Sequence, residues 1–422
     1  MTANLRNWAG NYTYTAARIH RPQTVEQVRE IVVRAGKLRA LGTRHSFNDI
    51  ADSAEDLISL EHLDRVTALD RARSTVTVEA GIRYGQLGQS LLREGYALHN
   101  LASLPHISVA GACATGTHGS GDGNGNLATA VAAMEVVTAD GEVVEFSRER
   151  DGPQFQGIVI GLGAFGVITK LTLDIVPAFS IRQDVYENLP LALMEQHFDA
   201  IMGSGYSVSL FTDWQSENIN QIWLKRRVTD GATSALTPAL LKATPAPADR
   251  HPIAAISAVN CTAQMGVPGP AFERLPHFRM DYTPSSGQEL QTEYFVPRPH
   301  AAAAIRTIWQ MRNRLAPLLQ ISEVRTIAAD TLWMSPCYQQ ACATIHFTWK
   351  QDWPAVQKLL PLIEERLAPF GARPHWGKLF TMPPAQVQSR YEKLPEFRQL
   401  LQSHDPRGKF RNSFVEKYLF SG

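Results

Sequence analysis

The chain has 422 residues, enough for two domains with sizeable cores. Its 41 basic and 40 acidic side chains leave a net charge of +1 at pH 7, which removes the electrostatic case for nucleic acid or an anionic membrane as partner. Four cysteines, none in a C-x-x-C pair, argue against a disulfide framework and for free thiols in a reducing compartment.

The segment Met1–Trp8 has no apolar run of the secretory kind, so a cytoplasmic setting is expected. Thr24 followed by Gln27 reads as a capping box, and Val25, Val28, Val32 and Ala35 recur at helical spacing. A strand ending at Leu41 follows, then Gly42-Thr43-Arg44-His45-Ser46-Phe47-Asn48, a glycine turn that projects a His-Ser pair. Residues 74–79 alternate as a strand, and 84–94 read as a short helix. Ala102-Ser103-Leu104-Pro105-His106-Ile107-Ser108 runs through Gly111 into Thr115-Gly116-Thr117-His118-Gly119-Ser120. Its small and hydroxyl residues let backbone N–H groups approach a phosphate. Residues 131–138, 142–146 and 167–175 are strand-like, with Ala139-Asp140-Gly141 as the turn between the first two.

Gly161-Leu162-Gly163-Ala164-Phe165-Gly166 matches G-x-G-x-x-G. The residues after it alternate like a strand instead of opening a helix, so a tight turn is expected there, not a dinucleotide fingerprint. Residues 157–176 form the longest apolar run. Four glycines, Lys170 and Asp174 make it a buried strand–turn–strand, not a membrane span.

Beyond Pro177 alternation resumes in 207–212 and 221–228, and the proline-rich stretch 237–252 reads as an exposed excursion. Residues 300–315 and 353–367 look helical, and 321–328 and 342–350 look like antiparallel strands. Glu323 and Arg325 are two apart, as are His346 and Thr348, so each pair shares one face of its strand. In segments otherwise apolar, these four make a polar wall. Arg373-Pro374-His375-Trp376-Gly377-Lys378 adds a rigid turn with an aromatic and basic groups.

On these residues the chain resembles the vanillyl-alcohol-oxidase-type FAD-linked oxidases, from Asn7 to Phe410. Its most specific stretches are 42–48, 102–120, 207–214, 223–227, 323–326, 346–349 and 373–378. The resemblance implies an α+β, two-domain fold. An FAD-binding domain of small mixed sheets and helices spans 1–177. A substrate domain with a large antiparallel sheet flanked by helices spans 178–422, and the segment from about 376 packs back near the first. It implies one FAD per chain, bonded covalently through His45. Leu41, Gly42, Thr43, Arg44, Ser46, Phe47, Ser103, Ser108, Gly111, Thr115, Gly116, Thr117, His118, Val167 and His375 match its FAD-contacting positions. Ser103, Glu323, Arg325, His346, Thr348 and Lys378 match its substrate site, the catalytic set being Lys378, His346, Arg325 and Glu323.

The branch most resembled oxidises the terminal primary hydroxyl of alditols such as xylitol and sorbitol. Hydride passes from C1 to flavin N5, and O₂ is reduced to H₂O₂. An aldonolactone oxidase of L-gulono- or arabinono-1,4-lactone type is the alternative. Lys378 and His346 flank the reacting hydroxyl, and either could take its proton. Ala102 matches a position on the oxygen path. Partners are then a small polyol and O₂, with no nucleic acid, membrane or metal, and a monomer is expected. Arg44 departs from the glycine common in relatives. Cys113 is offset from the second attachment point of bicovalent relatives, so a single covalent bond is expected.

Overall fold

Parallel strands need a crossover connection, and the capped helix read from residues 24–35 supplies one. In the computed structural model, which describes residues 5–228, 242–282 and 288–421, Thr24 Oγ1 accepts the Gln27 N–H at 3.3 Å. Gln27 Oε1 reaches one residue further than a capping box requires, to the Gln23 N–H at 2.7 Å. The helix Val25–Arg34 buries Val28 and Val32 and returns the chain so that Leu38–Leu41 runs parallel to Asp56–Ser59. Arg18–His20 pairs parallel on the other side of Asp56–Ser59.

A second sheet is antiparallel, in the order Val66–Asp70, Thr75–Glu79, Val167–Asp174, Val131–Val137, Val143–Ser147. Val167–Asp174 alternates strictly between buried and half-buried, as a one-sided strand should. The reading of 157–176 as strand, turn and strand is corrected. Its first residues end the helix Arg148–Val159, where Phe155, Ile158 and Val159 are buried at helical spacing, and Ser147 caps the start by accepting the Arg150 N–H. A short apolar run does not distinguish buried helix from strand by periodicity.

The third sheet has nine strands. Its path runs Thr244–Pro245, Ser180–Pro190, Asn218–Arg227, Ser207–Thr212, Leu319–Ile327, Cys342–Lys350, Glu289–Pro297, Arg373–Pro374, with Gly269–Pro270 beside Ser180–Pro190. All its pairings are antiparallel. The helices Ala301–Trp309 and Trp353–Leu367 pack on each other, and the first also packs on Glu289–Pro297 and Cys342–Lys350. Residues 237–241 of the proline-rich stretch lie outside the described residues. Residues 242–250 are largely exposed as expected, but the stretch ends in buried His251 and Pro252, which line the cleft described below.

The C-terminal segment returns to the first sheet. The Leu38 N–H donates to Lys409 O at 3.0 Å, and Asn412 Nδ2 donates to the carbonyls of Asp49, Ile50 and Asp52. Buried Arg39 knots these parts together by donating to the carbonyls of Ile50, Leu162, Gly163 and Phe410. All four cysteines are free and buried. No helix among the described residues is long and apolar enough to cross a membrane.

Candidate active site

One cleft receives residues from all parts of the chain. One end is built by the loop after Leu38–Leu41 and the start of the helix Val109–Ala114. A Cβ on Gly42 or on Gly111 would lie 2.8 Å from Ser108 Oγ, so glycine at both positions lets loop and helix close on each other. Thr43 Oγ1 accepts the Ser108 N–H at 3.2 Å and sits 3.0 Å from His45 Nδ1.

The His45 ring stacks on Trp8 with centroids 5.3 Å apart, and its Nε2 is buried without a partner. Burial, helped by His106 and Lys378, pulls the pKa of His45 down to about 3, so the ring is neutral at physiological pH. Arg44 has φ +65°, in the left-handed region that glycine occupies without strain. That explains the departure noted at this position: the turn calls for glycine, and arginine takes the same backbone. Its guanidinium reaches outward to Arg6 O at 3.0 Å.

The other end is the polar wall. Antiparallel register sets Glu323 opposite His346 and His346 opposite Glu293, and it sets Arg325 opposite Thr344. Arg325 Nη2 donates to Glu293 Oε1 at 3.1 Å and Nη1 to Ser103 Oγ at 3.2 Å. Arg325 Nε stands 3.5 Å from Glu323 Oε1, too poorly aligned for a hydrogen bond. Burial raises the Glu323 pKa, but Arg325 and His277 outweigh it and hold the carboxyl well below its usual range; His118 and Arg325 do the same for Glu293.

Lys378 joins the two ends. The Phe47 N–H donates to Gly377 O at 2.8 Å, and Asn48 Nδ2 donates to the carbonyls of Trp376 and Lys378. The cofactor-side loop and the His-Trp-Gly-Lys turn are therefore one unit. Lys378 Nζ donates to Gln291 Oε1, and His346 Nε2 lies 3.1 Å from the same oxygen. Burial pulls Lys378 to about 8, against the pull of Glu293, and His346 to about 3.

Of the residues singled out in the sequence, Ala102 and Ser103 line the cleft, as do residues 41–47, Ser108, Gly111, Thr115, Thr117 and His118. So do Glu323, Arg325, His346, Thr348, His375 and Lys378. Gly116 and Val167 do not: Gly116 makes a left-handed turn beside Ile160 and Pro336, and Val167 is packed in a core with Val137 and Phe410. The turn at Gly161–Gly166 leads into a strand as expected, and Leu162 and Gly163 reach the cleft. His118, Glu293 and His375 bring donor atoms within 4.8 Å of one another, yet Glu293 is already paired with Arg325, and His375 Nδ1 accepts the Gly377 N–H.

Sequence reasoning missed Trp8, His277, Gln291 and Glu293. The alternation of Glu289, Gln291 and Glu293 was a usable signal, since period two puts them on one face of Glu289–Pro297. His277 carried none.

Comparison with known proteins places this geometry. The model of the FAD binding domain matches residues 16–147, and that of D-arabinono-1,4-lactone oxidase matches residues 284–418. Alditol oxidase of Streptomyces sp. (strain IKD472 / FERM P-14339) is 47% identical over 99% of this chain and 100% of its own. L-gulonolactone oxidase of Mus musculus is 26% identical over 98% of both chains. The crystal structure of cholesterol oxidase from B. sterolicum superposes with a TM-score of 0.77 at 14% identity, covering 99% of this chain and 96% of that one, which shows a shared fold. Fold and site thus define an FAD-dependent oxidoreductase. The chain belongs to the FAD-linked oxidase family of the vanillyl-alcohol-oxidase type, the family of the Streptomyces alditol oxidase.

Proposed function

We propose that the protein oxidises the terminal primary hydroxyl of an alditol, such as xylitol or sorbitol, to the aldose, with O₂ reduced to H₂O₂. The observation that carries this reading is the meeting, in one cleft, of a buried unpartnered imidazole nitrogen on His45 with a wall of Ser103, Glu323, Arg325, His346, Thr348 and Lys378. A polyol presents several hydroxyls, each both donor and acceptor, and this wall offers both kinds of partner. The 47% identity to alditol oxidase supports the same substrate class.

The lactone oxidase reading remains as the second, favoured by the match of residues 284–418. Steady-state rates with xylitol, sorbitol and L-gulono-1,4-lactone separate the two; a preference for the lactone would overturn the first. The domain division at Pro177 is supported by the start of the nine-stranded sheet at Ser180, and the return of the segment from 376 to the first domain by the bonds from Leu38 and Asn412. A cytoplasmic setting accords with the four free thiols.

The cradle fits the cofactor: His45 would hold it covalently, and the close approach of Gly42, Ser108 and Gly111 would present backbone to it. Bound FAD supplies the hydride acceptor. The protein's residues do the rest. Glu323 accepts and Arg325 donates to hydroxyls further along the chain, and Ser103 and Thr348 complete the lining. Lys378 takes the proton of the reacting hydroxyl. His346, at about 3, is too weak a base, whereas an amine near 8 matches the working pH.

Glu323→Gln keeps the shape and removes the charge. A hydrogen bond to a charged group is worth roughly 1.5–3 kcal/mol, so the KM for xylitol should rise about tenfold or more. Ala102, buried immediately before Ser103 on the cleft wall, is assigned to the oxygen path. Ala102→Pro, provided its flavin spectrum is unchanged, and the gentler Ala102→Val should be reduced by xylitol at near-normal rates but reoxidised by oxygen much more slowly. Unchanged stopped-flow reoxidation in both removes Ala102 from that path.

A further inference from the structure

Behind the polar wall lies a buried chain of polar groups that the mechanism above does not use. Lys225, on the strand Asn218–Arg227, has no exposed surface. Its Nζ donates to the carbonyls of Leu275 and Pro276 and lies 3.2 Å from His277 Nδ1. His277 Nε2 lies 2.7 Å from Glu323 Oε1, and a carboxylate held ionised only accepts, so the proton sits on Nε2. In the neutral ring Nδ1 is then the acceptor, facing an N–H of Lys225 Nζ.

The imidazole has little room to turn. The rings of Trp223 and Phe211 meet it edge-on, with centroids at 5.1 and 5.5 Å. The same segment is clamped to the substrate side, because the N–H groups of His277 and Phe278 both donate to Ser103 O, at 3.0 and 3.3 Å. On Glu323 both near contacts, His277 and Arg325, fall on Oε1. Among the described residues no hydrogen-bond partner falls on Oε2, and Glu323 lines the cleft.

We propose that Lys225 and His277 are positioning residues for the polyol site: through a fixed Nε2–H they tether Oε1 of Glu323, so that Oε2 is held ready to accept a substrate hydroxyl. The inference rests on the reading of Glu323 as a substrate ligand. Arg325 balances the buried carboxylate directly; burial pulls Lys225 down to about 7, so its part is that of a hydrogen-bond donor to His277 and not of a full counter-charge. The other titratable groups that act on these residues are Arg325, Cys261 near Lys225 and His346 near Glu323. Burial pulls His277 to about 4, in keeping with a neutral ring that donates through one nitrogen only.

The test uses the full-length holoenzyme and xylitol. Glutamine can place an amide N–H near the position of Nε2, whereas phenylalanine keeps the bulk and loses the donor. His277→Phe should raise KM about tenfold, with a smaller change in kcat, and His277→Gln should return KM to within about threefold of wild type. Because the effect runs through Glu323, adding His277→Phe to a Glu323→Gln background should change KM by less than about threefold.

A wild-type KM in His277→Phe, alongside a raised KM in Glu323→Gln, overturns the positioning role and leaves the substrate reading standing. A wild-type KM in Glu323→Gln overturns both. Equal KM losses in His277→Phe and His277→Gln, matched by equal losses of melting temperature, reduce His277 to a packing residue and overturn the proposal. If His277→Phe does not accumulate with flavin bound, Lys225→Met takes its place, since it removes the group that holds Nδ1 of the imidazole. A raised KM there supports the proposal, and a wild-type KM overturns it.

Discussion

Lys378→Ala is expected to slow anaerobic reduction of the flavin by xylitol at least ~30-fold. The lysine stands in a desolvated corner where its Nζ donates to Gln291 Oε1 and lies 4.9 Å from the centre of the Phe47 ring. Gln291 is neutral, so the loss expected is that of the proton acceptor: a positioned general base contributes typically about 10²–10⁴-fold, and the floor of ~30-fold sits below that range. A pH dependence accompanies the loss. Burial brings the ammonium to about 8, so the amine form that accepts a proton grows as pH rises through that value. The wild-type rate should climb to a plateau above about pH 8, and the climb should be absent from Lys378→Ala. His346, neutral down to about 3, contributes no such limb. Stopped-flow reduction across this pH range decides it; a wild-type rate in Lys378→Ala would remove the residue from the chemistry.

The second large effect concerns His45. Wild-type protein should carry its flavin into the pellet on acid precipitation, and His45→Ala should release whatever flavin it binds into the supernatant. The physical case is a neutral ring beside Trp8, with Nδ1 at Thr43 Oγ1 and Nε2 buried and unpaired. A buried polar atom without a partner is costly unless something in the working protein satisfies it or the ring reacts. Recovery of all wild-type flavin in the acid supernatant would contradict covalent attachment. Thr43→Val, which removes the hydroxyl partner of Nδ1, provides an intermediate: slower attachment with the histidine still present.

The sequence alone determined the local pieces wherever one periodicity ran unopposed. Thr24 and the valines after it specify the helix Val25–Arg34. The alternation around Glu323 and His346 specifies two strands and the face on which their polar side chains lie, because the side-chain period of a strand is two. The turn at residues 42–48 and the small-residue segment 102–118 read as a cofactor cradle because their residue types permit close backbone approach, and both segments lie within the residues that the FAD binding domain matches.

What the tertiary structure decided is which segments meet. Gln291 and Glu293 entered the site because Glu289–Pro297 pairs with Cys342–Lys350 in a register that sets Glu293 beside His346, and register between distant strands is fixed by packing. Val167, matched to an FAD-contacting position, does not line the cleft and is packed in the core with Val137 and Phe410. His277 became visible only when the chain folded back over the sheet, bringing its imidazole between Lys225 and Glu323. No spacing in the sequence encodes that contact: it joins residues 52 and 46 positions apart, and only the free energy of burying them together brings them into reach.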